Sequence, residues 1–371
     1  MRIKLKDAFE LQIGKTPSRN KSEYWNGVYK WVSISDIGNS RKYVYSTRES
    51  ITDKGIIDSG IKVIPKGTVI MSFKLSIGKT AITTEDMYTN EAIVAFIDKK
   101  KIPIDIDYLY YLCSGSNWMQ GVNKAVMGLT LNKATLSEKE INIPNIEIQK
   151  KCAGNLDKID RIIDLKKQQL DQLDLLVRSL FIEMFGDPVE NPKKWNISTL
   201  STLGSCKNGM NFHIDDFGVE INCIGVGDFK DYDVISNTHS LPIVSLNSMP
   251  TEDYLLKDED IVFVRSNGNK TMVGRSIVIY PGENLVTFSG FCIRYRNEDS
   301  SIMVPYLLRV LKTESIRMQM YGRGANIQNL NQKILAFLKI PIPPMNLQEK
   351  FVQSVSSIDK SKYSSFSHLL A

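Results

Sequence analysis

Ile141-Asn-Ile-Pro-Asn-Ile-Glu-Ile-Gln-Lys-Lys151 and Ile340-Pro-Ile-Pro-Pro-Met-Asn-Leu-Gln-Glu-Lys350 are two versions of one segment. The pairs Ile141/Ile340, Ile143/Ile342, Pro144/Pro343, Gln149/Gln348, Lys151/Lys350, Ile159/Ile358 and Asp160/Asp359 all stand 199 positions apart, with no gap. Upstream, Leu131-Asn132 and Leu330-Asn331 keep that displacement. Solenoid units run to roughly 20–50 residues, so a period this long indicates a duplicated domain.

Downstream of the first copy, Leu156, Ile159, Ile163, Lys166, Leu170, Leu173, Val177, Leu180 and Met184 alternate three and four residues apart. That is a heptad seam with one charged interruption. No proline falls between 145 and 187, which predicts one helix of roughly 35 residues, about 50 Å long. Phe185-Gly186-Asp187-Pro188 supplies a left-handed cap and a stop. So narrow a seam calls for a partner helix rather than a globular core. The second copy starts a helix near Leu347, but Lys362 and Ser365 replace Ile163 and Lys166. That helix is expected to be about four turns shorter.

Before each helix the chain is rich in β-type runs. Strands are expected at Lys30–Ile34, Val69–Phe73, Thr80–Thr83, Ala92–Ile97 and Ile141–Ile143. In the second half they are expected at Cys223–Val226, Asp260–Val264, Ser276–Tyr280 and Phe291–Tyr295. Short helices at Ile106–Cys113 and Pro305–Lys312 match, as do the loops Gly121–Asn132 and Tyr321–Asn331. The expected fold is α+β (mixed α/β): two similar globular domains, residues 1–145 and 189–344, with helical regions at 146–188 and, shortened, at 345–371. Residues 189–195 read as a linker.

The totals suit two ordinary cores: 371 residues, 42% hydrophobic and 24% charged. No apolar run approaches the ~18 residues of a membrane span, and the N-terminal stretch carries Asp7 and Glu10 where a signal peptide needs an apolar core. Five scattered cysteines without a Cys-x-x-Cys pair argue for reduced thiols in the cytoplasm and against disulfides or zinc. The net charge of +6 is modest. Nucleic-acid binding would need local cationic clusters or a partner's charge, the alternative being a slightly basic cytoplasmic protein.

Searches for catalytic motifs find none. Gly14-Lys15-Thr16 and Gly78-Lys79-Thr80 have Phe9 and Phe73 where a phosphate loop requires its first glycine. There is no nucleophile elbow, zinc-protease helix or dinucleotide fingerprint, and no Asp-Pro-Pro-Tyr or Asn-Pro-Pro-Tyr of the kind that amino-methyltransferases carry. No catalytic residue, metal ligand or cofactor is assigned. The polar loops carry the chemistry of DNA readers: cations for phosphate and guanine, amides for adenine, hydroxyls for either. In the first half the candidates are Lys15, Ser18, Arg19, Lys74, Ser76, Lys79 and Lys124. In the second half they are Asn208, Asn211, Arg265, Asn267, Asn269, Lys270, Arg323 and Gln328. For each loop taken alone, the alternative is an ordinary solvated hairpin.

Several segments together resemble the specificity subunit of type I restriction–modification systems. Leu5–Trp31, with its Gly-Lys-Thr-Pro-Ser core, then Glu23-Tyr-Trp-Asn-Gly27 and Trp31-Val-Ser-Ile-Ser-Asp36, is similar to the opening of a target recognition domain. The Ile-Pro … Gln … Lys entry to each helix and Phe181–Trp195 resemble the family's conserved regions. The resemblance implies two target recognition domains, each reading half of a split double-stranded DNA sequence, with the helices packed as an antiparallel coiled coil that spaces them. It implies docking of two modification (methyltransferase) subunits and of restriction/translocase subunits, which would carry S-adenosylmethionine, ATP and Mg. The chain itself would catalyse nothing. Leu170, Leu173, Val177 and Leu180 are candidates for the partner surface, the alternative being packing on the chain's own second helix. The family's usual second long helix breaks off here at Ser364–Ala371. That puts in question a complete coiled coil and equal grip on both modification subunits; the alternatives are a truncated or decoy recognition module and, from another class, a methyltransferase or nuclease with an unrecognised site.

Overall fold

The structure is a computed structural model. It describes all residues except 40, 41, 75, 119–130, 214, 230–232, 321–328 and 371, and the side chains of 270 and 361–370. The chain divides into two compact units, Met1–Leu165 and Lys166–Ala371. Each is a mixed α/β domain.

Both units carry the same three sheets. In the first, a five-stranded sheet runs in the order Phe9–Ile13, Ile93–Asp98, Val69–Ser72, Thr80–Thr83, Tyr43–Val44. In the second the order is Gly204–Asn208, Cys292–Asn297, Asp260–Val264, Ser276–Ile279, Val234–Ile235. The last pair is parallel in each, and the others are antiparallel. Three-stranded sheets also match: Glu49–Ile51, Trp25–Val32, Tyr88–Thr89 against Ile243–Leu246, Val219–Ile224, Val286–Phe288, with one antiparallel and one parallel pairing apiece. A third pairing joins Arg2–Lys4 to Glu140–Asn142, and Asn196–Thr199 to Lys339–Ile342.

The central strands were legible because they are buried on both faces, which requires near-continuous apolar runs. All four residues of Val69–Ser72 and of Thr80–Thr83 are buried. Val69, Met71, Val94 and Phe96 face a core with Leu5, Phe9, Leu109 and Leu136. Ile70, Ala81, Ile93 and Ala95 face the opposite core with Val32, Ile64 and Met87. Alternate side chains of a strand point to opposite faces, so each strand feeds both.

The repeated residues are structural anchors. Gln149 and Gln348 are both fully buried. The Gln149 amide accepts from Asp105 N–H at 2.8 Å and donates to the carbonyls of Pro103 and Pro144 at 3.0 and 2.9 Å. Gln348 accepts from Met303 N–H at 2.8 Å and donates to Ser301 and Pro343 at 2.9 Å each. Asn132 and Asn331 cap equivalent short helices through Thr135 and Ile334 N–H. Gln149→Ala strands one backbone donor and two acceptors in the interior. It is expected to cost the first unit about 2–4 kcal/mol, read by urea unfolding, and Gln348→Ala should act likewise on the second unit.

Each unit fastens its parallel edge strand to a helix by ion pairs of opposite polarity. In the first, half-buried Lys42 pairs with Asp107 at 2.9 Å and with Asp157. The Tyr111 hydroxyl donates to Asp157 and Asp160 at 2.7 and 2.8 Å. In the second unit the equivalent position is Asp233, which pairs with Arg309 and Lys312, and Arg309 also reaches Asp359 at 3.8 Å.

The long helix runs Ile146–Phe185, 40 residues, and ends as expected in a left-handed glycine, Gly186 at φ 79°. Its seam is not continuously covered. Leu156, Ile159 and Ile163 are 38%, 50% and 37% exposed, whereas Val177, Phe181 and Phe185 are buried. Phe181 and Phe185 pack on Tyr306 and on Phe351 of the C-terminal helix Met345–Leu370. The heptad pattern reported apolar spacing; the packing uses a stripe shifted onto the two phenylalanines. Residues 189–195, read as a linker, are held by hydrogen bonds. Asn191 exchanges two with Trp195, and the Trp195 indole donates to Phe185 O at 3.1 Å.

Candidate nucleic-acid interface

In each unit the first strand of the five-stranded sheet leaves it through a glycine pressed onto a neighbouring strand. A Cβ on Gly14 would lie 2.1 Å from Thr89 O, and one on Gly209 2.0 Å from Ser289 O. The next residue donates to the same neighbour: Lys15 N–H to Thr89 O at 2.9 Å, Met210 N–H to Phe288 O at 3.0 Å. No side chain fits there, so glycine is required and the following loop starts from the same place in both units.

Two tryptophans shape that loop in the first unit. The Trp25 indole donates to Ser18 O at 3.2 Å, and the Trp31 indole to Lys15 O at 3.0 Å. Their rings meet edge to face at 5.1 Å. The Arg19 guanidinium lies 3.9 Å over Trp25 and forms a two-pronged pair with Glu49. The Glu49 hydrogen bond raises Arg19 above the usual guanidinium range. Lys15 Nζ donates to Ser59 O at 3.2 Å and Gly60 O at 3.5 Å, at the end of helix Asp53–Ser59. Lys15 and Arg19, read from sequence as DNA contacts, are thus engaged in holding the loop. Ser18 is exposed on it.

The hairpin between Val69–Ser72 and Thr80–Thr83 presents its tip beside this loop. Phe73 N–H donates to Ala92 O at 3.0 Å, and Gly78 N–H to Ser72 O at 2.9 Å. Lys74 is half-buried against the Phe73 ring, and Ser76 and Lys79 are exposed. Thr16 donates its hydroxyl to Glu91. That hydrogen bond, with Glu91's own amide and the charges of Lys74 and Arg19, outweighs partial burial and holds the Glu91 carboxyl below its usual range. Thr16, Arg19, Lys74 and Glu91 therefore share one surface.

The second unit builds the equivalent surface from different side chains. Arg265 N–H donates to Phe291 O at 2.8 Å, and its guanidinium to Gly290 O at 3.3 Å. Asn211 lies against Gly290. Ser266 bridges to Asn329, and Leu330 N–H donates to Arg265 O at 2.8 Å. Asn267 and Asn269 turn the tip by accepting from the N–H groups of Asn269 and Thr271 at 2.7 and 3.1 Å. Asn208 is not a loop residue: it ends the strand Gly204–Asn208 opposite Ile293, with a buried carbonyl oxygen. Lys124, Arg323, Gln328 and the Lys270 side chain lie outside the described residues.

Of the candidate partner-surface residues, Val177 is buried in the second unit's core and Leu180 packs against it. Those two are used within the chain; Leu170 and Leu173 are half-buried. The sequence reading missed Trp25, Trp31, Glu49 and Glu91. A bulge between Trp25 and Tyr29 breaks the regular alternation of that strand, so strand periodicity does not reveal that the two rings meet, and their indole acceptors come from the preceding loop. Burial pushes the Cys206 and Cys223 thiols up to about 11 and about 12. Among the described residues no three His, Cys, Asp or Glu side chains are grouped to hold a metal, and no helix is long and apolar enough to cross a membrane.

The model of the type I restriction modification DNA specificity domain matches twice, over residues 1–175 and 192–365. The MjaIX specificity subunit of Methanocaldococcus jannaschii is 31% identical over 228 residues, 56% of this chain and 52% of that protein. The StySPI specificity subunit of Salmonella potsdam is 23% identical over 69% of this chain and 58% of its own length. The matches thus span about half the length of these curated relatives. A further type I restriction enzyme specificity subunit of M. jannaschii, MjaVIII, is 22% identical over 96% of this chain and 85% of its own. In fold, the chain is similar to the S subunit of the type I system of M. genitalium, with TM-score 0.52, 16% identity and coverage of 100% and 91%. A chain from a study of type I system assembly gives TM-score 0.60 at 16% identity, covering 98% and 91%. By the double match across both halves, this chain belongs to the type I restriction–modification DNA specificity family.

Proposed function

We propose that the chain is the non-catalytic DNA-recognition component of a type I restriction–modification assembly in the cytoplasm, each unit reading one half of a bipartite duplex target. One observation carries this reading: two scaffolds with the same strand order and sense present different side chains at equivalent loop positions. Thr16, Lys74 and Glu91 stand in the first unit where Asn211, Ser266 and Gly290 stand in the second. A shared frame with divergent tips suits two unlike half-sites rather than a palindrome. Two modification subunits would supply S-adenosylmethionine and methyl transfer, and restriction subunits the ATP- and Mg-dependent steps.

The test is co-purification of the chain with its modification protein, followed by methylation with labelled S-adenosylmethionine and mapping of the modified sites. The expected result is one bipartite, asymmetric motif, methylated only when both proteins are present. Methylation by this chain alone would overturn the reading. Arg265→Ala combined with Arg323→Ala is expected to relax or weaken one half-site by about 1–3 kcal/mol of discrimination per lost base contact. Equal loss at both half-sites would count against one reader per unit.

A further inference from the structure

We propose that Glu91 is a specificity-determining residue of the first unit, accepting a hydrogen bond from the exocyclic amino group of a base, cytosine N4 or adenine N6, in the major groove. The inference rests on the reading that both units bind DNA and names what one position on that surface does.

The position is defined by hydrogen bonds common to both units. Asn90 N–H donates to Val32 O as Ser289 N–H does to Ile224 O, and Ile93 N–H to Asn90 O as Cys292 N–H does to Ser289 O. Phe73 N–H donates to Ala92 O as Arg265 N–H does to Phe291 O. Glu91 and Gly290 are therefore the same place in the two frames. In the second unit that place has no side chain and the neutral Asn211 amide fills it. In the first it holds an exposed carboxylate on a surface that also carries Lys15, Arg19, Lys21 and Lys74.

A carboxylate there works against the surface around it. Phosphate contacts supply most of the affinity for DNA, and a fixed negative charge repels the backbone. It is rewarded only where it meets a donor, and the donors on the major-groove edge are the amino groups of cytosine and adenine. Glu91 is also aimed. Thr16 holds one of its oxygens, and Thr16 belongs to the loop clamped by Trp25 and Trp31. No second side chain among the described residues bonds the carboxylate. It lines an open groove of about 550 Å³, with Lys15, Ser18, Lys21 and Asp58 around it.

The experiment uses the full chain assembled with its modification protein. Binding is measured to the mapped target and to duplexes carrying each single base-pair change, for wild type and Glu91→Gln. Glutamine keeps the carbonyl that accepts from Thr16 and removes the charge and one acceptor. The expected result is a 10- to 100-fold loss of discrimination at one base pair of one half-site, the other half-site unchanged. Thr16→Val should blunt the same base pair while Glu91 remains. Unchanged preferences at every position in Glu91→Gln, or equal change in both half-sites, would overturn the proposal. A drop in thermal stability without any change in preference would also overturn it, assigning Glu91 to loop structure. A wild-type complex that prefers no duplex over another would instead remove the DNA-reading assignment itself.

Discussion

Asp233→Ala is expected to lower the stability of the second unit by about 2–4 kcal/mol and to leave the first unit unchanged. Removing one partner of a buried ion pair costs about 3–5 kcal/mol because the remaining charge stays desolvated. The lower range applies here because the Asp233 side chain is 31% exposed and Lys312 27%. Arg309 is 16% exposed and, among the described residues, would be left with the 3.8 Å approach to Asp359. Burial pushes the Asp233 carboxyl up, but the Lys312 and Arg309 charges outweigh it and hold the group below the usual carboxylate range. A group whose folded value is depressed contributes stability that is complete above its unfolded value, near 4 for Asp. That contribution is lost as pH falls through the lower folded value. Between pH 5 and pH 2 the wild-type unit should therefore lose stability more steeply than Asp233→Ala. Urea titrations followed by hydrogen exchange in each unit measure both effects. Asp233→Lys, which copies the first unit's Lys42, should be worse than alanine, since it faces Arg309 and Lys312 with a third positive charge. Equal stability of Asp233→Lys and wild type would show that the inverted polarity has no energetic consequence.

Phe185→Ala is expected to cost the second unit about 3–5 kcal/mol. Its ring is buried, 4.8 Å from Tyr306, 5.4 Å from Phe351 and 5.3 Å from Phe181 between centroids. Truncation empties the centre of an aromatic cluster in which the long helix, the helix Val304–Lys312 and the C-terminal helix meet. Edge-to-face contacts add about 0.5–1.5 kcal/mol each beyond burial, and large neighbouring rings limit collapse around the gap. Phe185→Leu should recover more than half of the loss. Denaturant unfolding gives the magnitude. A cost below about 1 kcal/mol would mean that the helix end is not anchored by this cluster.

Both effects bear on what was legible beforehand. The 199-residue repeat located residues whose roles are local or deeply buried: Gln149 and Gln348, the Asn132 and Asn331 caps, and the buried Leu131 and Leu330. Apolar runs located Thr80–Thr83 and Asp260–Val264 at their observed bounds. The first unit's second sheet was largely missed. Glu49–Ile51 and Tyr88–Thr89 are three and two residues long, too short to show a period, and their pairing is set by segments far along the chain. The Lys42 and Asp233 pairs escaped notice for a related reason. They occupy one position with opposite charge, so comparing the copies shows a mismatch where the fold has a shared function.

The candidate interface divides in the same way. Composition marked the loops that follow Gly14 and lie between the hairpin strands, because turns need glycine and amide side chains there. Which of their cations remain for a ligand was not in the composition. Arg19 reaches Glu49, 30 residues away, and Lys15 the carbonyls at Ser59 and Gly60. Glu91 stood out only once Thr16, Lys74 and the equivalent Gly290 were seen around it. From the sequence alone came the duplication and the long helix with its glycine stop, because periodicity is written into residue order; the family came from the resemblance of Leu5–Trp31 and Phe181–Trp195 to its segments. Which side chains meet across the sheets, and so which charges are already matched, was decided by tertiary structure. Those partners arrive from distant segments, and a linear pattern reports only that a face is buried or exposed, never what lies against it.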